Sequence, residues 1–195
     1  MKSLVTNHSG RSGPPRQGFW ARHPADVARD LIGWTLSLEG VGGRIVETEA
    51  YHHDDPASHS HSGQTERNAA MFGLPGHAYV YRSYGVHWCF NVVCGEQPGS
   101  AVLIRALEPT LGLAVMAERR GLSAARDLCS GPGKLSQALA ITRDHDGWSL
   151  DQTPFALSPG AAASIITGPR IGISKAADTP WRFGEAGSRF LSRGF

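Results

Sequence analysis

The chain has 195 residues, of which 41% are hydrophobic and 18% are charged, and its formal net charge is +2. These values are typical of one globular domain that buries a sizeable core. They argue against a membrane-spanning protein, because no apolar run approaches the roughly 20 residues that cross a bilayer. A charge of +2 is also too small to establish a nucleic-acid partner. We predict a single domain over residues 19–195 behind a flexible, slightly basic arm over residues 1–18.

The cysteines and the charge distribution bear on the compartment and the surface. Cys89, Cys94 and Cys129 show no CxxC spacing, and an odd number cannot all pair. Reduced thiols in the cytoplasm are therefore expected, and the first residues lack the apolar core of a secretory signal. Residues 1–29 have five basic side chains against one acidic, and residues 168–195 have five against two. Basic ends suit a surface that faces phosphates, and they suit solvated tails equally well.

The first half of the chain predicts a helix followed by strands. Residues 23–33 have an apolar stripe, with Pro24 in the first turn and Gly33 at the end, which is typical of a helix. The next elements follow in chain order: strands at 34–40 and 43–51 joined by a glycine-rich turn at 40–43, a polar loop at 52–65 and a short helix at 66–72.

The second half of the chain predicts a meander and further helices. Three strands in quick succession, at 77–83, 86–93 and 100–108, indicate a β-meander, which we place at the centre of the sheet. The remaining elements are helices near 110–120 and 130–141, short strands at 162–168 and 169–176, and a final stretch at 180–183. Strands and helices are grouped rather than alternating. We therefore expect an α+β class: one domain with a mostly antiparallel curved β-sheet and flanking helices.

The strand at 43–51 has an unusual face. With a period of two, Ile45, Glu47, Glu49 and Tyr51 lie on one side. Carboxylates are seldom buried unless they are paired. Two interpretations stay open: a solvated surface strand, or a pocket in which one carboxylate activates a water beside a flat ring.

Three tyrosines and two polar residues favour the pocket. Tyr79 and Tyr81 lie on one face of their strand, and Tyr84 lies at a Tyr-Gly turn. Asn91 and Arg105 are embedded in apolar strands. An arginine there needs a carboxylate, a phosphate or a route to solvent. Pairing with the two glutamates and exposure at a sheet edge are both possible.

Two further patterns have a binding and a neutral interpretation. The loop at 52–61 collects four histidines and two aspartates, namely His52, His53, Asp54, Asp55, His59 and His61. No HExxH or Cys/His pattern completes a zinc site, so we expect no metal and favour a single histidine acting in a pocket. The Gly-Pro-Gly before Lys134 is either a phosphate contact at a helix start or a simple capping turn.

Seven motifs occur in an order that is typical of one protein family. They are GRIVETEAY (43–51), DPASHS (55–60), TERN (65–68), the run at 71–93, AVLIRALEP (101–109), GPGKL (131–135), and TGPRIGIS with PWRF near the end. In these motifs the chain resembles the alkyladenine (3-methyladenine) DNA glycosylases, the mammalian-type enzymes and their bacterial relatives. The resemblance covers roughly residues 22–193.

The resemblance implies a role for each matching residue. Glu49 would be the general base that activates water, and Arg105 would orient both. The other roles are a base sandwich by Tyr51, His59 and Tyr81, a pocket floor at Asn91, and a wedge into the duplex by Tyr84. Beside these roles, we expect Arg67 and Lys134 to contact the DNA backbone. No cofactor is implied. The partner would be double-stranded DNA that contains damaged purines, bound by a monomer in the cytoplasm, in association with the nucleoid.

The chemistry expected from this resemblance is simple hydrolysis. The chain has three lysines, Lys2, Lys134 and Lys175, and none lies in the predicted pocket segments, so no Schiff-base nucleophile is evident. The expected product is an abasic site. Two alternatives from other classes are a catalytically silent nucleic-acid-binding domain on the same scaffold and a nucleoside hydrolase.

Three departures from the family pattern affect individual assignments. The loop at 52–58 is shorter than in mammalian relatives, and His61 makes the histidine assignment ambiguous with His59. Glu66 stands where a proline is common, which adds negative charge near a surface expected to face DNA. Strand parity alone does not separate Glu47 from Glu49.

Overall fold

A curved antiparallel sheet forms the frame of the protein. The computed structural model describes residues 17–161 and 163–195, so the predicted arm at 1–18 lies almost wholly outside the described residues. The strands are β1 (Thr35–Leu38), β2 (Val41–Tyr51), β3 (Ala78–Ser83), β4 (His87–Cys94), β5 (Ser100–Leu111), β6 (Phe155–Ser158), β7 (Ile165–Gly168) and β8 (Arg182–Glu185). The helices are α1 (Gln17–Trp20), α2 (Pro24–Asp30), α3 (Leu113–Arg120), α4 (Ala125–Leu128) and α5 (Pro132–Leu139). The expected α+β class is confirmed.

The centre of the sheet is β2, paired with β5. The strand order is β3-β4-β5-β2-β1-β6, and β8 pairs with β2 and β7. One edge of β2 pairs with β5, while its other edge is shared by β1 over 41–44 and by β8 over 47–49. The meander was predicted at the centre; its last strand, β5, lies there beside β2, but the prediction was wrong for β3, which is an edge strand. Local strand patterns do not reveal which strands pair, and β2 is buried on both faces.

The first strand of the meander, β3, lies at an edge of the sheet and is covered by a loop from later in the chain. The Val80 amide donates to Asp146 Oδ1 at 2.7 Å, and the Ala78 amide donates to the Trp148 carbonyl at 2.8 Å. Arg143 Nη1 donates to the Val80 carbonyl at 3.1 Å. This loop satisfies backbone groups that an open edge would expose to pairing with another chain.

Helices pack against one face of the central strands, β2 and β5. Helix α2 has Pro24 in its first turn, as predicted, and buries Val27 and Ala28. The Thr48 hydroxyl of β2 donates to the Ala28 carbonyl at 2.8 Å, which ties the helix to the sheet. The main core joins α2, α3 and α5 to both central strands. Within the described residues, no helix is long and apolar enough to cross a membrane.

Several predicted boundaries differ from the structure. The turn between β1 and β2 is Glu39 and Gly40, and the next two glycines belong to β2. A Cβ on Gly42 would lie 2.0 Å from the Leu36 carbonyl oxygen, so this glycine permits close strand packing. The helix predicted at 66–72 is a 3-10 turn, Ala69–Phe72, and the strand predicted at 169–176 is an irregular loop.

A β-bulge breaks the predicted alternation of β2. Ile45 and Glu47 pair with successive residues of β5, so Val46 is an extra residue. A bulge re-aims the side chains around it. Ile45 therefore belongs to the main core together with Ala50, although it was predicted on the face of the glutamates.

A second bulge lies beside the first on β5. Glu47 pairs with Ala106 and Thr48 pairs with Ile104, so Arg105 is the extra residue on this strand. An extra residue leaves the regular ladder and can direct its side chain to a position that a regular strand would not reach. This irregularity brings the Arg105 guanidinium to both glutamates of β2.

Candidate active site

A cavity of about 380 Å³ lies beside the end of β2. This volume is in the range of sites that bind small ligands, about 300–1,000 Å³. The cavity brings together residues predicted from five separate motifs, namely Tyr51, His59, Arg67, Tyr81, Tyr84, Asn91 and Arg105. Glu49 is fully buried next to the lining residues Tyr51 and Arg105. Lys134 is exposed on α5 and donates to Ser130 Oγ at 3.3 Å; it does not line the cavity, whereas Pro132 of the same helix does.

Glu49 is held by three donors. The Tyr51 hydroxyl donates to Oε2 at 2.8 Å, and the Ile171 amide donates to Oε1 at 2.7 Å. Arg105 Nη1 lies 3.2 Å from Oε1. Charged and polar donors of this kind stabilise an ionised carboxylate that has little water around it. The interpretation of the strand as a solvated surface is therefore wrong. The Ile171 amide was not predicted, because a backbone donor leaves no signal in the sequence.

Both glutamates are fully buried, and Glu47 accepts hydrogen bonds from more groups than Glu49 does. Its Oε1 accepts from Arg105 Nε at 3.1 Å, Arg182 Nε at 2.8 Å and the Ser192 hydroxyl at 2.8 Å. Its Oε2 accepts from the Ser192 amide at 2.5 Å. The predicted pairing of Arg105 with both glutamates is thus present, whereas Arg182 and Ser192 were not singled out. Arg182 is the one charged residue of the otherwise apolar stretch PWRF (180–183), which was the available signal.

Electrostatics keep Arg105 charged despite its burial. Burial by itself lowers the pKa of the guanidinium, but the carboxylates of Glu49 and Glu47 outweigh burial, so the pKa lies above its ordinary value. Two buried carboxylates and two buried guanidinium groups, those of Arg105 and Arg182, form one network. Such a network is stable only because each charge has a partner.

The aromatic side chains that line the cavity carry no charge. Tyr79 and Tyr81 are stacked with ring centroids 5.5 Å apart, and the His59 ring meets Tyr81 edge-on at 4.4 Å. Burial raises the pKa of Tyr51, Tyr79 and Tyr81 above the ordinary value, so all three hydroxyls stay protonated. Desolvation lowers the pKa of His59, and the Arg67 guanidinium lowers it further. The imidazole is therefore neutral at neutral pH.

Hydrogen bonds fix two of the polar groups at the cavity. His59 Nδ1 lies 2.9 Å from the Tyr79 hydroxyl, and the buried Asn91 donates from Nδ2 to the Tyr79 carbonyl at 3.0 Å. Tyr79 was predicted on the same strand face as Tyr81, but it was not predicted to belong to the site. Both candidate histidines are exposed, but His59 lines the cavity and His61 does not.

Tyr84 stands out at the tip of the hairpin that joins β3 and β4. Its side chain is 89% exposed, and its φ of 50° lies in the left-handed region. Gly85 follows with φ 70°, and the Val86 amide donates to the Ser83 carbonyl at 3.0 Å. A bulky residue in this region is uncommon and carries strain of order 1 kcal/mol, which often marks a functional position.

The residues of the loop at 52–61 whose side chains could bind a metal do not lie in one place. Ligand atoms of His52, His53 and Asp54 lie within 4.8 Å of one another, away from the cavity lining. His52 and Asp54 hydrogen bond directly, which lowers the pKa of Asp54. Asp55 is buried and pairs with Arg170 instead.

The chain is similar to a known protein family and to several bacterial proteins. The family model described as methylpurine-DNA glycosylase (MPG) matches residues 18–189. A protein of Rhodopseudomonas palustris (strain HaA2) is 64% identical over 186 residues, covering 94% of this chain and 92% of the relative. A Granulibacter bethesdensis protein is 63% identical over 180 residues, covering 90% and 85%, and a Nitrosospira multiformis protein is 64% identical over 172 residues, covering 87% and 89%. All three carry the name "Putative 3-methyladenine DNA glycosylase".

The match spans nearly the whole described chain and includes every segment that contributes to the cavity. It confirms the family expected from the seven motifs. The chain belongs to the methylpurine-DNA glycosylase family, enzymes that hydrolyse N-glycosyl bonds.

Proposed function

We propose that the protein is a monofunctional DNA glycosylase of base-excision repair. It takes an alkylated or deaminated purine out of duplex DNA into the cavity and hydrolyses the bond to the sugar, leaving an abasic site. The observation that carries this proposal is the position of Glu49, a buried carboxylate fixed by three donors behind an aromatic cavity.

The aromatic walls suit a flat, extruded base. Extrusion from the duplex costs a few kcal/mol, and less for a lesion that pairs poorly. Tyr51, His59 and Tyr81 supply ring surfaces, and a ring face attracts a cation within about 6 Å of its centroid. Alkylation at a ring nitrogen makes a purine cationic. Because His59 is neutral, it does not repel such a base.

Tyr84 lines the cavity, and its exposed ring acts at the duplex. Its exposed ring at the hairpin tip can fill the space that the extruded nucleotide leaves, which offsets part of the lost stacking. Arg67 at the cavity edge and Lys134 on α5 would contact phosphates of the backbone.

Glu49 and Arg105 carry the chemical step. A water attacks the anomeric carbon of the sugar and transfers a proton to Glu49, while the bond to the purine nitrogen breaks and its electron pair leaves with the base. A cationic purine leaves as a neutral molecule. A neutral purine such as hypoxanthine must take up a proton from solvent as it leaves, because Glu49 accepts the proton of the attacking water and does not supply one. Arg105 holds Glu49 in position and offsets the charge that it bears.

Asn91 contributes to the rejection of normal guanine. Its amide is fixed by the Tyr79 carbonyl, so it does not rotate away from an exocyclic amino group. A fixed polar group that meets an unmatched donor is left without a partner and disfavours that base.

The test compares the wild-type protein with Glu49→Gln on duplex DNA that carries one hypoxanthine or ethenoadenine. Base release by the wild type, lost in the variant with DNA binding retained, supports the proposal. Binding without release from any damaged purine would favour a silent DNA-binding domain. Release from free nucleosides alone would favour a nucleoside hydrolase.

Borohydride trapping separates simple hydrolysis from a lyase reaction. Among the described residues that line the cavity, none is a lysine. We therefore expect no covalent adduct between the protein and its DNA substrate. The protein acts as a monomer in the cytoplasm, on double-stranded DNA of the nucleoid.

A further inference from the structure

Arg170 forms a buried ion pair that the reaction itself does not use. Its Nη1 donates to Asp55 Oδ2, and its Nη2 donates to Asp55 Oδ1 at 3.2 Å. The side chains of Arg170 and Asp55 are 0% and 2% exposed. A paired arrangement of two donors on two carboxylate oxygens is geometrically specific.

The same guanidinium also contacts the end of β2. Nη1 donates to the Ala50 carbonyl at 2.9 Å, and the guanidinium carbon lies 4.7 Å from the Tyr51 ring centroid and 5.4 Å from that of Trp181. One side chain therefore joins three segments: the end of β2, the loop that carries Asp55, and the loop at 169–176.

Each of these segments supplies part of the cavity. Tyr51 provides a ring wall and the hydroxyl that binds Glu49. Ile171, the residue after Arg170, provides the amide that binds Glu49. Asp55 Oδ1 accepts from the Ala57 amide at 2.9 Å in the turn that leads towards the cavity wall.

We infer that Arg170 is a positioning residue for the proposed reaction: it holds two of the three donors on Glu49 and covers one face of the Tyr51 ring. The opposite face of that ring then remains for the extruded base. This inference rests on the proposed function, because the residues that it positions are those assigned to base binding and water activation.

Arginine is suited to this position and lysine is not. The planar guanidinium stacks on a ring while its in-plane donors reach a carboxylate and a carbonyl. An ammonium group is compact and does not span these partners at once. Arg170→Lys keeps the charge that Asp55 requires but loses the ring contact and the carbonyl contact.

The experiment compares Arg170→Met with a matched arginine elsewhere. Arg44 binds Glu185 through Nε at 3.0 Å and Nη2 at 2.9 Å, outside the cavity. Single-turnover release of hypoxanthine from duplex DNA and affinity for DNA with an abasic-site analogue are measured for each variant. Small misplacements of reacting groups slow catalysis by about 100-fold, and we expect a loss of this order for Arg170→Met with little change in affinity. Arg44→Met should keep its rate in the folded protein. Equal rates in the two variants would overturn the inference.

Hydrogen exchange of the Ile171 amide tests the inference without catalysis. Arg170→Met should accelerate this exchange by about tenfold or more, because the loop opens locally, whereas Arg44→Met should not. If the wild type releases no damaged base, the proposed function fails while exchange still decides the role of Arg170. If Arg170→Met does not fold, base release and exchange of the Ile171 amide are measured on Arg170→Lys instead. If both match the wild type, Arg170 is not a positioning residue.

Discussion

Arg105 and Glu49 lie on neighbouring strands, and Arg105 Nη1 is 3.2 Å from Glu49 Oε1. The same guanidinium binds Glu47 through Nε at 3.1 Å. The two carboxylates nevertheless have different surroundings. Glu47 is enclosed by Arg105, Arg182 and Ser192, whereas Glu49 is bound by the cavity residue Tyr51. This difference favours Glu47 as the structural carboxylate and Glu49 as the reactive one.

Removing the Tyr51 hydroxyl tests the support of Glu49. Tyr51→Phe keeps the ring wall but deletes the donor at 2.8 Å. We expect single-turnover base release to slow by about tenfold, equivalent to about 1.4 kcal/mol in the barrier, with lesion binding retained. Tyr81→Phe removes a hydroxyl that does not bind Glu49 and should slow release less. An unchanged rate in Tyr51→Phe would show that this hydrogen bond has no part in catalysis.

Removing the charge of Glu47 tests its structural role. Glu47→Gln leaves two buried guanidinium groups, those of Arg105 and Arg182, without a full partner. Breaking a buried pair in this way costs about 3–5 kcal/mol, which urea unfolding measures. The control is Glu185→Gln, which breaks a partly exposed pair with Arg44 and should cost about 1 kcal/mol or less. If Glu47→Gln and Glu185→Gln lost equal amounts of unfolding free energy, the structural role of Glu47 would be contradicted.

Shortening Tyr84 tests its action on DNA. Tyr84→Ala should leave the free energy of unfolding within about 0.5 kcal/mol of the wild type, because the side chain is 89% exposed. Capture of the extruded base, followed by 2-aminopurine fluorescence beside the lesion, should weaken. Leu111→Ala, also an exposed apolar truncation but at the end of β5, is the control. Normal base extrusion and release in Tyr84→Ala would exclude a wedge.

The lowered pKa of His59 predicts a pH dependence of stability. Its pKa in the folded protein lies below 6.5, so the unfolded chain binds more protons between the two values. The contribution of neutral His59 to the free energy of unfolding is complete above pH 6.5. It is lost as the pH falls through the lower pKa that His59 has in the folded protein. Urea unfolding at a series of pH values should show a smaller acid loss in His59→Asn than in the wild type. Identical slopes would mean that His59 titrates normally in the folded state.

The sequence by itself determined much of the local structure and the residue types of the site. The start of α2 at Pro24, the hairpin with Tyr84 at its turn, and the alternation of Glu47, Glu49 and Tyr51 all depend on neighbours a few residues away. The motifs then identified the family. Such short-range patterns are visible in any single sequence, because the period of a helix or strand is a local property.

Only the tertiary structure decided which groups complete the site. Arg105 reaches both carboxylates because it is the extra residue of a bulge, and the donors from Ile171, Arg182 and Ser192 come from segments more than 100 residues after β2. The place of β2 at the sheet centre was likewise set by pairing with β5 and β8. Contacts over such separations depend on packing of the whole chain, and neither periodicity nor motif spacing records them.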